Sequence, residues 1–170
     1  MNQEAAPRRR FLLAAPLRHL EVCDDAAARP PTPADAEDVA QLMIAACRGA
    51  VDDEGETLDD ARAVMARLFA GEFGGMLWSQ SEVVERQGQV VAATLLTLWQ
   101  GGPFVAFMFT HPAHQRQGLA RAGLRRAFKR LAAGEEPALH LVVTQGNTRA
   151  ESLYDSLGFV PVAQPPYTQS

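Results

Sequence analysis

"HQRQGLA", residues 114 to 120, lies between the apolar run "FVAFMFT" (104 to 110) and the basic, helix-patterned run "RAGLRRAFKRL" (121 to 131). A strand that passes through a glycine-containing turn into a helix presents unpaired backbone N–H groups at the positive end of the helix dipole. Such a terminus holds anions, phosphate above all. Gly118 carries no Cβ to obstruct a guest, and Ala120 keeps the next position small. Gln115, Arg116, Gln117 and Arg121 can clamp phosphate oxygens from the sides. A dinucleotide fingerprint needs three glycines and a nucleoside-triphosphate loop needs a Gly-Lys-Ser/Thr ending; neither is present.

Upstream, "EVVERQGQVVAATLLTLW" (82 to 99) reads as a hairpin: a strand near 82 to 86, a turn at Gln87-Gly88, and a longer strand over 90 to 99. That strand is apolar on both faces, which predicts a central position. Gly101, Gly102 and Pro103 form the next turn, and 104 to 110 reads as another strand buried on both faces. Helix 118 to 132 turns Ala120, Leu124, Phe128 and Leu131 inward and Arg121, Arg125 and Lys129 outward. "ALHLVVT" (138 to 144) is a further strand. A short helix carrying Ala150, Leu153, Tyr154 and Leu157 stops at Gly158, and "FVPV" closes as a last strand.

Two helices precede the hairpin. Thr32 caps the first, with Pro33 in the first helical position and Asp35 three after the cap. Its buried stripe is Ala36, Val39, Ala40, Met43 and Cys47. Thr57 caps the second, with Asp60 three later and Ala61, Val64, Met65, Leu68 and Phe69 at helical spacing before Gly71. The expected fold is α/β: a mixed, mainly antiparallel sheet with helices on both faces.

A chain of 170 residues, 47% of them hydrophobic, suits one domain with a sizeable core, expected over 27 to 170. The net charge of −4 gives no sign of a nucleic-acid or membrane-surface partner. Cys23 and Cys47 suit a reducing cytoplasm, the expected location. "RRRFLLAAPL" (8 to 17) resembles the start of an export signal, but its apolar part contains Pro16 and is broken by Arg18, His19 and Glu21. Residues 1 to 26 are therefore read as a loosely ordered extension.

Gln115-Arg116-Gln117-Gly118-Leu119-Ala120 resembles the pyrophosphate loop of the GNAT (Gcn5-related) N-acetyltransferases, Gln/Arg-x-x-Gly-x-Gly/Ala. A second motif stands in the right order and at the right distance. "NTRAESLYDSLGF" (147 to 159) is similar to the family's Asn-x-x-Ala-x-x-Leu-Tyr-x-x-x-Gly-Phe ending. The resemblance covers about 29 to 163. It implies acetyl-CoA as co-substrate, with no metal, and a V-shaped slot between the family's splayed fourth and fifth strands, here 104 to 110 and 138 to 144. It further implies that Met108, Phe109 and Thr110 offer backbone groups to the acetyl and pantetheine parts, and that residues 115 to 121 hold the pyrophosphate. Asn147 would bond the pantetheine arm, and Tyr154 would protonate the departing thiolate.

The chemistry fits that assignment. An amine attacks a thioester carbonyl, so the site needs a neutral amine, a donor for the carbonyl oxygen and a proton source for the thiolate. Some relatives carry a glutamate on one of the two splayed strands. Here "FVAFMFT" has no acid and Val142 occupies the other position, which leaves proton removal to a water chain or to His111. The acceptor is a small-molecule amine or a protein amino group. The acidic loop residues Asp52, Asp53, Glu54 and Glu56 are candidates for attracting a cationic one. The sequence is equally compatible with a homodimer. A catalytically silent acyl-CoA-binding sensor or interaction module is the alternative function.

Competing readings are weaker. His111 and His114 lack a third ligand nearby for a metal. Arg121, Arg125, Arg126, Lys129 and Arg130 read as a solvated helix face whose first arginine reaches phosphate. No Gly-x-Ser-x-Gly elbow supports a serine hydrolase.

Overall fold

The computed structural model describes residues 9–163. Seven strands form one sheet: β1 (Arg10–Pro16), β2 (Ala28–Arg29), β3 (Glu82–Arg86), β4 (Gln89–Trp99), β5 (Gly102–Thr110), β6 (Ala138–Thr144) and β7 (Val160–Pro161), in the order β2-β3-β4-β5-β6-β1-β7. Every neighbouring pair is antiparallel except β5 and β6. Four helices cover it: α1 (Ala36–Cys47), α2 (Leu58–Phe69), α3 (Leu119–Leu131) and α4 (Thr148–Ser156).

The two faces of β4 separate the core into halves, because successive strand residues point to opposite sides. Ala93 and Leu95 pack with Val39, Met43, Met65 and Leu68 of α1 and α2. Leu96 packs on the other side with Leu124 and Phe128 of α3 and with Tyr154 of α4. The β3–β4 hairpin turns at Gln87 and Gly88, both with positive φ (52° and 76°), the twist that a two-residue hairpin requires. At α2 the Asp60 carboxylate accepts from the Thr57 backbone N–H (2.8 Å) while Thr57 Oγ1 accepts from the Asp60 N–H (3.2 Å), a reciprocal cap. Ahead of α1, Pro33–Asp35 forms a single 3-10 turn, and the helix proper begins at Ala36.

Three expectations need correction. Residues 10 to 16 are not a loose extension: they form β1, paired along its whole length with β6 from Arg10 opposite Thr144 to Pro16 opposite Ala138. Leu13 and Ala15 of β1 are buried in the core, and the strand covers what would otherwise be an open sheet edge. Residues 1 to 8 of that segment lie outside the described residues. The turn after β4 falls at Gln100 (φ 49°) and Gly101 (φ 84°), so Gly102 and Pro103 already belong to β5. β5 is also less buried than its apolar sequence suggests. Val105 and Phe109 are buried, but Ala106, Phe107 and Met108 between them are partly open, because the strand borders a cleft.

The basic face of α3 divides. Arg126 is buried and forks onto the equally buried Glu82 through two hydrogen bonds of 2.6 Å, while its Nη1 donates to the Cys23 carbonyl (3.2 Å). Arg130 reaches the same carboxylate at 3.4 Å. Truncating Glu82 would leave a buried guanidinium without its counter-charge, a change that costs about 3–5 kcal/mol. Glu82→Ala is therefore expected to lower the denaturation midpoint sharply in urea. Lys129→Ala, on the exposed side, should leave it nearly unchanged.

Candidate active site

The cleft arises where β5 and β6 part. Their parallel pairing covers only Phe104 opposite His140 and Val105 opposite Leu141. At the same level the β4–β5 register shifts: Leu95 faces Phe107 and Leu96 faces Val105, so Ala106 is an extra residue that bends β5. Beyond this bulge the two strands diverge, and the β5 backbone from Phe107 to Thr110 has no strand on its β6 side. The opening has a volume of about 1000 Å³. Met108, Phe109 and Thr110 line it from β5, and Val142 and Thr144 from β6.

At one side stands the start of α3. Gly118 is its N-cap, with φ 77°, preceded by Arg116 at φ 60°. The first intrahelical bond runs from the Ala122 N–H to the Gly118 carbonyl (2.9 Å), which leaves the N–H groups of Leu119, Ala120 and Arg121 as helix-end donors. A Cβ built on Gly118 would meet no protein atom within 4 Å. Internal packing therefore does not demand glycine here. The left-handed φ does, together with whatever occupies the open space before the helix. Gln115, Arg116, Gly118, Leu119, Ala120 and Arg121 all line the cleft, whereas Gln117 does not. The residues present thus fit a pyrophosphate: free N–H donors, open space and cationic side chains.

Arg149 adds a cation that the sequence reading missed. It lines the cleft from the first turn of α4, and its Nη1 donates to Gln115 Oε1 at 2.5 Å, tying the loop to α4. Its charge was visible inside the second motif, but its distance from Gln115 in sequence concealed the partnership.

Two residues before Arg149, Asn147 caps α4 and also lines the cleft. Its Oδ1 accepts from the Ala150 N–H (3.2 Å), and its Nδ2 donates to Asp52 Oδ2 (3.3 Å). Tyr154 sits two turns further along, 7% exposed, with its ring against Phe159 (centroids 5.7 Å apart) and its side chain on the cleft. Burial, with the negative charge of Asp52 added, pushes its hydroxyl up to about 12, so it remains a protonated donor at neutral pH. Cys47 also lines the cleft. Burial, with help from Glu56, Asp52 and Asp53, pushes its thiol up to about 11.

The acidic loop does not act as a unit. Asp52 and Glu56 line the cleft. Asp53 instead accepts from the Gly49 and Gly55 N–H groups (2.7 and 3.0 Å), and Glu54 pairs with Arg10 at 3.5 Å. His111 also falls outside the lining residues. Its Nδ1 accepts from the Ala113 N–H (3.2 Å), which ties the imidazole to the turn after β5. Among the described residues no three His, Cys, Asp or Glu side chains gather as a metal-holding group, and no helix is long and apolar enough to cross a membrane.

The sequence matches the Acetyltransferase (GNAT) family over residues 37–159. A comparison with curated proteins yields no match. Among solved structures, the chain is similar to a GCN5-related N-acetyltransferase from Sphaerobacter thermophilus (TM-score 0.68, 17% identity, 91% of this chain and 49% of that one covered). It is also similar to the ribosomal-protein-S18-alanine N-acetyltransferase from Escherichia coli (TM-score 0.62, 21% identity, 80% and 78% covered). A third is the aminoglycoside antibiotic 6'-N-acetyltransferase AAC(6')-IG from Acinetobacter haemolyticus (TM-score 0.60, 17% identity, 84% and 97% covered). At these identities the likeness is one of fold, and the chain spans about half the length of the Sphaerobacter protein.

Proposed function

The chain belongs to the GNAT family of acetyltransferases, and on that premise we propose that it transfers an acetyl group from acetyl-CoA to a primary amine by direct attack, with Tyr154 as general acid. The observation that carries this reading is the convergence on one cleft of a helix-end anion cradle and a buried, protonated tyrosine. Residues 115, 116 and 118 to 121 hold the pyrophosphate with Arg149. The unpaired β5 backbone at Met108, Phe109 and Thr110 meets the pantetheine and acetyl parts, and Asn147 bonds the pantetheine arm.

Direct attack is favoured over a covalent acyl-enzyme by the state of Cys47. With its thiol near 11, only ~1 in 10⁴ is thiolate at neutral pH, too little for an efficient nucleophile. Asp52 and Glu56 make the acceptor side of the cleft negative, which raises the local concentration of a cationic amine. Structural neighbours are named for an aminoglycoside and for an alanine of a ribosomal protein. Small amines and protein amino groups are therefore both the classes to screen.

The deciding experiment measures CoA release from acetyl-CoA across panels of small amines and peptides, beside calorimetric CoA binding. Amine-dependent release is the expected result. Binding without release on any acceptor would favour a silent acyl-CoA sensor. For a cationic acceptor, Glu56→Gln should raise KM a few-fold at low salt, and the difference should shrink once the Debye length falls to about 8 Å. A KM and salt response equal to wild type would make Glu56 solvated surface.

A further inference from the structure

We propose that Asp52 is the base for the attacking amine, taking the proton that the nitrogen loses and returning it to Tyr154. The inference rests on the acetyl transfer argued above and supplies the group that both splayed strands lack. β5 carries no carboxylate, Val142 stands on β6, and His111 lies outside the cleft with Nδ1 already accepting from the chain.

Among the described residues, Asp52 and Glu56 are the carboxylates that line the cleft. They differ in how they are held. Glu56 Oε2 accepts from the Glu54 N–H of its own loop (3.1 Å). Asp52 Oδ2 instead accepts from Asn147 Nδ2, and Asn147 is locked by its own bond to the Ala150 N–H. The Asp52 carboxylate is therefore referenced to α4, the helix that carries Tyr154. Side chains of a helix lean toward its N-terminus, so the Tyr154 ring reaches back along α4 toward the level of Asn147 and Asp52. The effect of the Asp52 charge on the Tyr154 hydroxyl agrees with that proximity. Oδ1 of Asp52 has no hydrogen-bond partner among the described residues, and it is the atom offered to the amine.

The protons balance. The amine nitrogen bonds to the acetyl carbonyl carbon and the carbon–sulfur bond breaks, with the sulfur taking the Tyr154 hydroxyl proton. Nitrogen bonded to that carbon is far more acidic than a free ammonium ion, so its surplus proton passes to Asp52. Transfer from Asp52 to the Tyr154 oxygen restores both residues, and one amine proton has reached the CoA thiol. The charged or titratable groups that line the cleft with Asp52 are Arg10 on β1, Cys47 and Arg48 at the end of α1, Glu56, His114, Arg116 and Arg121 before and in α3, and Arg149 and Tyr154 on α4. Arg10 is engaged by Glu54 (3.5 Å) and Arg48 by Asp53 (3.7 Å).

The test uses the full chain with Asp52→Asn and Asp52→Glu, on an amine that the wild type accepts. Asp52→Asn keeps the shape and can still bond Asn147, so CoA affinity by calorimetry should stay within about threefold. Its kcat should fall by ~10²-fold, with Asp52→Glu retaining more activity than Asp52→Asn. Ultraviolet titration of tyrosinate, with Tyr154→Phe as the reference that assigns the signal, should show Tyr154 ionising at lower pH in Asp52→Asn. A rise in KM with kcat unchanged would reduce Asp52 to charge attraction and overturn the proposal. So would a loss of CoA binding parallel to the loss of rate, or an unmoved tyrosinate titration. If the wild type acetylates no amine, the inference falls together with the proposed function. If the wild type turns over and Asp52→Asn does so equally, it falls alone.

Discussion

Gly118→Glu should abolish measurable CoA binding while the chain stays folded. A Cβ at this position meets no protein atom within 4 Å, so the new side chain has room and displaces nothing in the core. The folding cost is that of a left-handed φ of 77° on a residue with a side chain, about 1–2 kcal/mol. What changes is the site. The glutamate carboxylate would stand before the Leu119, Ala120 and Arg121 N–H groups, the donors that a pyrophosphate needs, and would repel it. Two like charges about 4 Å apart near a protein surface interact by about 4 kcal/mol, roughly a thousandfold in affinity. Calorimetry with CoA reads the effect, and circular dichroism with a melting curve establishes that the variant is folded. A folded variant that binds CoA like the wild type would place the anion cradle elsewhere in the molecule.

Tyr154→Phe should lower kcat by ~10²–10⁴ while CoA affinity barely moves. Phenylalanine preserves the ring that packs with Phe159 and with the β5–β6 side of the core, so only the hydroxyl is lost. In the proposed mechanism that hydroxyl acts when the thiolate departs, later than binding. The pH dependence follows from its ionisation near 12: burial disfavours the phenolate, so the acid stays loaded across the neutral and mildly alkaline range. Rate should therefore rise with pH as the amine loses its proton, and no fall assignable to Tyr154 should appear until the pH approaches 12. Steady-state kinetics over pH, with CoA binding measured beside them, decide the matter. An unchanged kcat where chemistry limits the rate would return Tyr154 to a packing role.

The helix-end geometry of the proposed anion cradle was legible because its parts are neighbours in the chain. Six consecutive residues set the left-handed cap at Gly118, the small Ala120 and the free helix-end donors. The reciprocal cap between Thr57 and Asp60 and the hairpin turn at Gln87-Gly88 were legible for the same reason. Misreadings fell where a residue's partner is remote. β1 carries an alternating apolar face, but only the open edge of β6 explains why it is ordered. Arg126 follows the periodicity of an exposed face until Glu82, 44 residues away, draws it inside.

The local devices were settled by sequence alone, since caps, turns and helix-end donors involve atoms a few residues apart, whose geometry the backbone fixes. By this route the sequence determined the helices, the central hairpin and the left-handed glycine cap that opens α3. Tertiary structure decided which side chains meet in the cleft. The Ala106 bulge and the early end of β5–β6 pairing open the cleft, and the sheet order carries Asp52 to within 3.3 Å of Asn147, 95 residues on, and Gln115 to Arg149, 34 residues on. Periodicity tells which face of an element is buried but not which element covers it. That is why four acidic residues looked equivalent in sequence, and why the fold turned two of them into the cleft and committed the other two to the backbone and to Arg10.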